Sequence, residues 1–204
     1  MHKCMKIPSS YPIIGFDEVG RGPLAGPVVV GCVLTRKKLS EIPPRIVIRD
    51  SKTMTKLQLN KSFQWITSSF PFGIGQASAL EIDEKGIGKA VVLAAQRARK
   101  DLEVKLSSSL ASSTLLVDGR TKWFPNCTCI VKGDSTVVEI SMAAIVAKVT
   151  RDLLMEQLAL SYSEWKFEQH VGYGTMFHRK MIVQKGLIPG VHRESFCRKI
   201  LGKS

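Results

Sequence analysis

Apolar residues in this chain fall into short β-branched runs and longer stretches of helical spacing, separated by clusters of Gly, Pro, Ser and Asp. Residues 13–18 and 27–34 are two such runs with a Gly/Pro loop between them, which predicts a strand, a loop and a paired strand. Residues 1–10 read as an edge segment, and residues 37–44, polar and holding Pro43-Pro44, as a loop. A short strand is expected over 46–48, leading into Asp50-Ser51-Lys52. Leu57, Leu59, Phe63, Trp65 and Ile66 predict a helix over 55–70 with Thr55 as its N-cap and Pro71 beyond its end. Alternation over 72–79 predicts a strand. The stretch 81–106 reads as one long helix with Val91, Val92, Ala94, Ala95 and Ala98 on its buried face.

After a Ser-rich connector at 107–113, two short apolar strands are expected at 114–117 and 127–131. The first runs into Asp118-Gly119 and the second into Lys132-Gly133-Asp134. Residues 141–160, rich in Ala, Met, Leu and Val, form the strongest helical pattern, and a last helix is expected over 175–185. Strands first, then strands alternating with helices, define an α/β domain on a mixed sheet over residues 1–165. Residues 166–204 are expected to add a small helical, basic segment.

Charge sharpens this picture. Of 204 residues, 30 are Lys or Arg and 17 Asp or Glu, a net charge of +13. That balance points to a polyanionic partner, nucleic acid ahead of an anionic membrane surface. No apolar stretch approaches the roughly 20 residues that span a bilayer. The N-terminus lacks the apolar run of a signal peptide, so a cytoplasmic protein is expected. The five cysteines, Cys4, Cys32, Cys127, Cys129 and Cys197, are odd in number and scattered, which argues against a disulfide framework. Cys127 and Cys129 have no companion pair at zinc-finger spacing. The three tryptophans, Trp65, Trp123 and Trp165, read as packing residues.

With acids scarce, their positions carry information. Asp17 and Glu18 end an apolar run, an expensive place for two carboxylates unless something compensates them. Asp118 and Asp134 also end apolar runs. Each has a plainer reading: Asp118-Gly119 is a turn dipeptide, Asp134 and Asp50 suit turns or caps, and Asp152 suits a helix-face ion pair. Taken together, Asp17, Glu18, Asp118 and Asp134 can form a cluster for a hard divalent cation. Successive strand residues face opposite ways, so Asp17 and Glu18 share a site only if the strand ends or bulges between them.

The loop that follows, Gly20-Arg21-Gly22 with Gly26, has the look of a dinucleotide fingerprint. The third glycine is one position late, Pro23 and Pro27 stand where a helix should open, and two acids would face the pyrophosphate. A better reading is a loop whose backbone and Arg21 approach a nucleic-acid strand. The ribose 2′-hydroxyl is the group by which a protein tells RNA from DNA. Tyr173, between glycines, is placed to be exposed. His170, His178 and His192 sit in the basic C-terminal region, where contacts to phosphate or solvent are expected. So do Lys166, Arg179, Lys180, Lys185, Arg193, Arg198, Lys199 and Lys203.

Asp-Glu-Val-Gly-Arg-Gly-Pro-Leu-Ala-Gly-Pro-Val, Asp50-Ser51-Lys52, Leu-Val-Asp-Gly, Lys-Gly-Asp, Ile-Val-Ala-Lys-Val-Thr-Arg-Asp and Gly-Tyr-Gly-Thr follow one another as in type 2 ribonuclease H. The chain resembles that family from about residue 12 to 196. The resemblance implies a ribonuclease H-like fold, a mixed five-stranded sheet flanked by helices with a small C-terminal helical segment. It implies a monomeric endonuclease that cleaves RNA–DNA hybrids and, on the 5′ side, single ribonucleotides embedded in duplex DNA, leaving 3′-hydroxyl and 5′-phosphate ends. It further implies Asp17, Glu18, Asp118 and Asp134 as catalytic acids holding two Mg²⁺ or Mn²⁺ ions. Gly20, Arg21 and Gly22 are implied as the 2′-hydroxyl-sensing loop, Tyr173 as the residue stacking at the RNA–DNA junction, and Lys52 as a phosphate contact. Ala144 departs from the family's usual Ser, which implies a small change in packing. The short stretch before the first strand favours type 2 over type 3 enzymes. The sequence discloses no protein partner such as a sliding clamp. The competing readings are a noncatalytic nucleic-acid-binding module and another nuclease of the same superfold.

Overall fold

Five strands form one sheet in the order β3-β2-β1-β4-β5. The computed structural model describes residues 10–39 and 41–202. The strands are β1 Ile13–Val19, β2 Val28–Thr35, β3 Phe72–Ala77, β4 Thr114–Asp118 and β5 Cys127–Ile130. β2 pairs antiparallel with β1 and β3, whereas β4 pairs parallel with β1 and with β5. β2 is buried at every position, as its run of Val, Cys and Leu requires for a strand covered on both faces.

Two long helices cover the sheet. Cys32 donates through Sγ to the Ala98 carbonyl of α3 (Ile87–Leu106), 3.4 Å away, so even-numbered β2 residues face that helix. One residue earlier the strand faces α5 (Val138–Ser161): a side chain at Gly31 would meet the Ala143 carbonyl at 2.5 Å. Gly73 and Gly75 of β3 likewise leave no room for a Cβ beneath Ala98 and Ala94 of α3. Small residues on both sides let strand and helix backbones approach closely. α1 (Lys56–Ser69), opened by a Thr55–Gln58 capping box, joins α5 over a second core that includes Ile66, Met142 and Ile145.

Several expectations are corrected. The helix expected over 81–106 is two, α2 (Ala79–Lys85) and α3, because Gly86 takes a left-handed φ of +77° between them. The strand at 72–79 stops at Ala77, since Ser78 caps α2 in a box with Glu81. Residues 46–48 form no strand. Instead the Val47 backbone exchanges two hydrogen bonds with the Ser62 hydroxyl of α1, which satisfies the groups a strand partner would have taken. The helix expected at 141 begins at Val138, and the edge segment expected at 1–10 lies almost wholly outside the described residues.

The C-terminal portion contains α6 (Phe167–His170), α7 (Met176–Lys185) and α8 (Glu194–Cys197). Its apolar side chains, Trp165, Phe167, Met181 and Ile182, pack with Met155 and Ala159 of α5 and with Leu24 and Ala25 of the β1–β2 loop. Backbone bonds from Leu24 to Gly172, from Gly26 to Val191 and from Arg193 to Leu24 tie the same two regions together. The glycine loop is thus a shared wall of both parts.

Candidate active site

The four acids stand at one end of the sheet because parallel β1 and β4 finish side by side there. The β1–β4 ladder closes at Phe16 and Val117, one residue short of Asp17 and Asp118. β1 itself continues without a bulge, Asp17 opposite Gly31 and Glu18 opposite Val30 of β2. The two neighbouring acids therefore face opposite ways on an unbroken strand. They flank its open edge, which lies beside Asp118 once β4 has ended.

Each acid is held differently. Asp17 is 8% exposed, and its Oδ1 accepts from the Glu18 N–H at 2.7 Å. Asp118 Oδ1 accepts from the Gly133 N–H at 2.7 Å and from the Asp134 N–H at 3.4 Å, which ties the end of β4 to the turn after β5. Lys132, left-handed at φ +57°, makes that turn and starts the single turn of α4 (Gly133–Thr136). Asp134, also 8% exposed, takes a hydrogen bond from the Ser135 hydroxyl. Its main-chain carbonyl accepts from Ser141 at 2.6 Å.

The electrostatics are those of crowded acids. Burial first, then the charges of Glu18 and Asp118, hold the Asp17 carboxyl well above the usual carboxylate range. Burial raises Glu18 as well, against the pull of Arg21, and Asp118 is raised by burial and by Asp134. Two exposed cations answer this charge. Arg21 reaches Glu18 Oε1 at 3.2 Å and Lys52 reaches Asp134 Oδ2 at 3.6 Å. Burial works against the Lys52 ammonium, yet Asp134, Asp50 and Asp17 together raise it. Asp50 caps the short 3₁₀ turn Ser51–Thr53 that carries Lys52.

Hard carboxylate oxygens are the donors that Mg²⁺ and Mn²⁺ prefer, and their mutual repulsion is what such a cation relieves. In donor chemistry the four acids fit. As the side chains stand, no three His, Cys, Asp or Glu groups among the described residues are gathered tightly enough to hold one ion.

Beside the acids lie the glycine loop and Tyr173. A Cβ at position 22 would meet Tyr173 Cε1 at 3.8 Å, and the tyrosine is 46% exposed. Contacts link the candidate residues pairwise: Arg21 to Glu18, Lys52 to Asp134, Asp134 to Asp118, and Gly22 to the neighbourhood of Tyr173. Asp17 and Glu18 point to opposite sides of β1, and Gly20 is buried.

The three histidines are the main correction. His170, His178 and His192 are buried, not set out for phosphate or solvent. Their hydrogen bonds fix a single neutral tautomer for each. The Ile188 N–H donates to His192 Nδ1, so His192 Nε2 carries the proton and donates to His178 Nε2 at 3.0 Å. His178 Nδ1 then donates to the Tyr173 carbonyl at 2.9 Å. His170 Nε2 donates to the Trp165 carbonyl and its Nδ1 accepts from Gly172. Periodicity gives no sign of this chain; the spacing of His170 and His178 around Tyr173 is the one available hint.

Sequence reasoning also missed Arg151 and took Arg193 for a surface charge. Both are fully buried and neither meets a carboxylate. Arg151 donates to the carbonyls of Pro27, Val171 and Ala25, at 2.9, 2.9 and 3.2 Å. Arg193 donates to those of Gly26, Arg21 and Gly20, at 3.0, 3.0 and 2.6 Å.

A mixed sheet in this order, with carboxylates at the ends of its central parallel strands, is the architecture of the ribonuclease H-like fold. Comparison with known proteins narrows the class. The model of the family described as Ribonuclease HII matches residues 14–199. The ribonuclease HII of Fusobacterium nucleatum is 44% identical over 192 residues, 93% of this chain and 87% of that protein. That of Thermosynechococcus vestitus is 39% identical over 193 residues, 93% of this chain and 85% of the relative. Among solved structures, the ribonuclease H2 of Pyrococcus horikoshii superimposes with a TM-score of 0.73 at 26% identity, covering 94% of this chain and 98% of the other. The chain belongs to the ribonuclease HII family. It is accordingly a ribonuclease H, an endonuclease acting on the RNA strand of RNA–DNA hybrids.

Proposed function

We propose that this ribonuclease also cleaves on the 5′ side of single ribonucleotides embedded in duplex DNA, leaving 3′-hydroxyl and 5′-phosphate ends. The observation that carries this reading is that Gly22 lies next to the exposed Tyr173 ring, which a Cβ at position 22 would meet at 3.8 Å, with Arg21 reaching Glu18 of the acid cluster. Recognition of one sugar and recognition of the step next to it then occur in adjoining places. Gly20, Arg21 and Gly22 contact the ribose 2′-hydroxyl, and Tyr173 stacks on the neighbouring deoxyribose. Lys52, on an exposed turn, contacts a phosphate.

Asp17, Glu18, Asp118 and Asp134 hold Mg²⁺ or Mn²⁺, which when bound supplies an activated water and charge for the leaving 3′-oxygen. The chain's own residues orient the strand: Arg21 and Lys52, released from Glu18 and Asp134, turn toward the phosphates. The enzyme works as a monomer in the cytoplasm.

Incubation with Mg²⁺ and a DNA duplex bearing one ribonucleotide, beside an all-DNA control, tests this directly. One cut 5′ of the ribonucleotide, with those ends, is expected. Cleavage of long hybrids with none at the single site would remove the proposal and leave the family assignment standing.

A further inference from the structure

Two arginine side chains with almost no solvent exposure are an unusual use of charge. No buried side-chain nitrogen or oxygen among the described residues lacks a partner, so both guanidinium groups are satisfied, by carbonyl oxygens alone. A carboxylate would be the ordinary neutraliser of a buried cation. Here backbone dipoles serve instead, five of the six drawn from residues 20–27.

That choice dictates where the rest of each peptide points. A trans peptide is planar, with its N–H directed opposite to its C=O. Arg193 draws the Gly20 and Arg21 carbonyls inward, at 2.6 and 3.0 Å. The N–H groups of Arg21 and Gly22 must then face outward, away from Arg193. Both residues are exposed, and neither N–H has a hydrogen-bond acceptor among the described residues. Consecutive outward N–H groups in a turn make a concave donor pair suited to one oxygen. Arg151 sets the other limb through Ala25 and Pro27, and its Nε would lie 2.3 Å from any Cβ at position 20. Glycine at 20, left-handed at φ +92°, is the residue that lets the loop fold over that guanidinium.

We propose that Arg193 is a specificity-positioning residue: by holding two carbonyls inward it presents the Arg21 and Gly22 N–H groups as paired donors to the 2′-oxygen of the substrate sugar. This rests on the reading of the loop as the sugar-contacting element. Arg193 itself touches no substrate.

The test uses two duplexes, each with a single modified sugar, 2′-hydroxyl in one and 2′-fluoro in the other. Fluorine keeps the size of the group and accepts hydrogen bonds poorly. For the unaltered enzyme the hydroxyl duplex is cleaved with the higher kcat/KM. Arg193→Lys keeps a charge and loses the fork, and about a tenfold fall in that hydroxyl-to-fluoro ratio is expected, the worth of one hydrogen bond. Arg193→Ala is expected to lose about 100-fold in kcat/KM on the hydroxyl duplex, as misplacement of a positioning group does. Its affinity for all-DNA duplex should stay within about twofold, and added guanidinium, but not equal sodium chloride, should restore cleavage. An unchanged ratio in Arg193→Lys overturns the inference, as does an Arg193→Ala enzyme that guanidinium leaves inactive. If the unaltered enzyme fails to cut the hydroxyl duplex, the proposed function falls first; if it cuts and the ratio holds, only the role of Arg193 falls.

Discussion

At the scale of single residues, the acid cluster carries repulsion that the fold tolerates. Asp17, held above the usual carboxylate range by burial and by Glu18 and Asp118, works against the folded state at neutral pH. Asp17→Asn should therefore abolish cleavage of a duplex bearing one ribonucleotide while raising the metal-free melting temperature by about 2–4 °C for each kcal/mol relieved. Calorimetry with a chelator present, set beside a cleavage assay, checks both halves. A melting temperature unchanged or lowered would show that Asp17 is not repelled by its neighbours. Tyr173→Ala should weaken junction cleavage far more than DNA affinity; equal losses would refute stacking.

The buried histidines give the opposite pH trend. Burial first, then His178, pushes His192 down to about 4, and burial lowers His178 as well. Besides one another, the charged or titratable neighbours acting on them are His170 and Arg179. An unfolded histidine binds its proton near pH 6.5. Between about 6.5 and 4 the unfolded chain therefore holds more protons, and stability is lost as pH falls. The raised carboxylates gain stability over part of that range, so the histidine contribution is read as a difference. His192→Phe should flatten the decline from pH 6.5 to 4.5 by on the order of 2 kcal/mol, measured by urea denaturation at each pH.

At the scale of elements, the close approach of β3 to α3 is the tightest demand in the fold. A Cβ at Gly75 would stand 2.0 Å from the Ala94 carbonyl, and one at Gly73 2.1 Å from that of Ala98. Gly75→Ala should destabilise the protein by about 3 kcal/mol through forced separation of strand and helix. Thermal unfolding measures it; a change under about 1 kcal/mol would mean that α3 can shift freely.

Elements also show what the sequence made legible. β1 and β2 announced themselves through β-branched runs, β3 through alternation, and β4 and β5 through short apolar runs leading into Asp118-Gly119 and Lys132-Gly133-Asp134. α1 was legible in its spacing and its cap Thr55, and α5 in its Ala, Met, Leu and Val content. The Gly86 break was hidden because one glycine within a helical pattern does not reveal its φ. The Val47 segment was hidden because only the three-dimensional position of Ser62 shows where its backbone bonds go. The acids and the loop were visible because buried carboxylates and clustered glycines are costly unless used. Arg151 and Arg193 were not, since a lone basic residue in a basic chain looks like surface.

At the scale of the molecule, the +13 charge is less freely available than its sum suggests. Within the C-terminal portion Arg193 is buried, Lys185 pairs with Glu164, and Arg179 donates to the Gly174 carbonyl. Lys180, Arg198 and Lys199 remain exposed. No helix of the described residues is long and apolar enough to cross a membrane. Duplex affinity should fall linearly on a log–log plot against salt. Lys180→Glu should lower the slope by about one, because one fewer cation then neutralises a phosphate. A slope unchanged in the variant would place the duplex elsewhere.

The grip of Arg193 on Gly20 and Arg21 joins positions more than 170 residues apart in the chain. During synthesis the strands, the four acids and both long helices emerge well before it. A nascent chain stopped at residue 190 already possesses every carboxylate of the site, while the loop beside them still has three carbonyls without their guanidinium. If the acids cut and the loop chooses, as proposed above, the two abilities are separated in time, and the residue that completes the second leaves the ribosome after every carboxylate of the first.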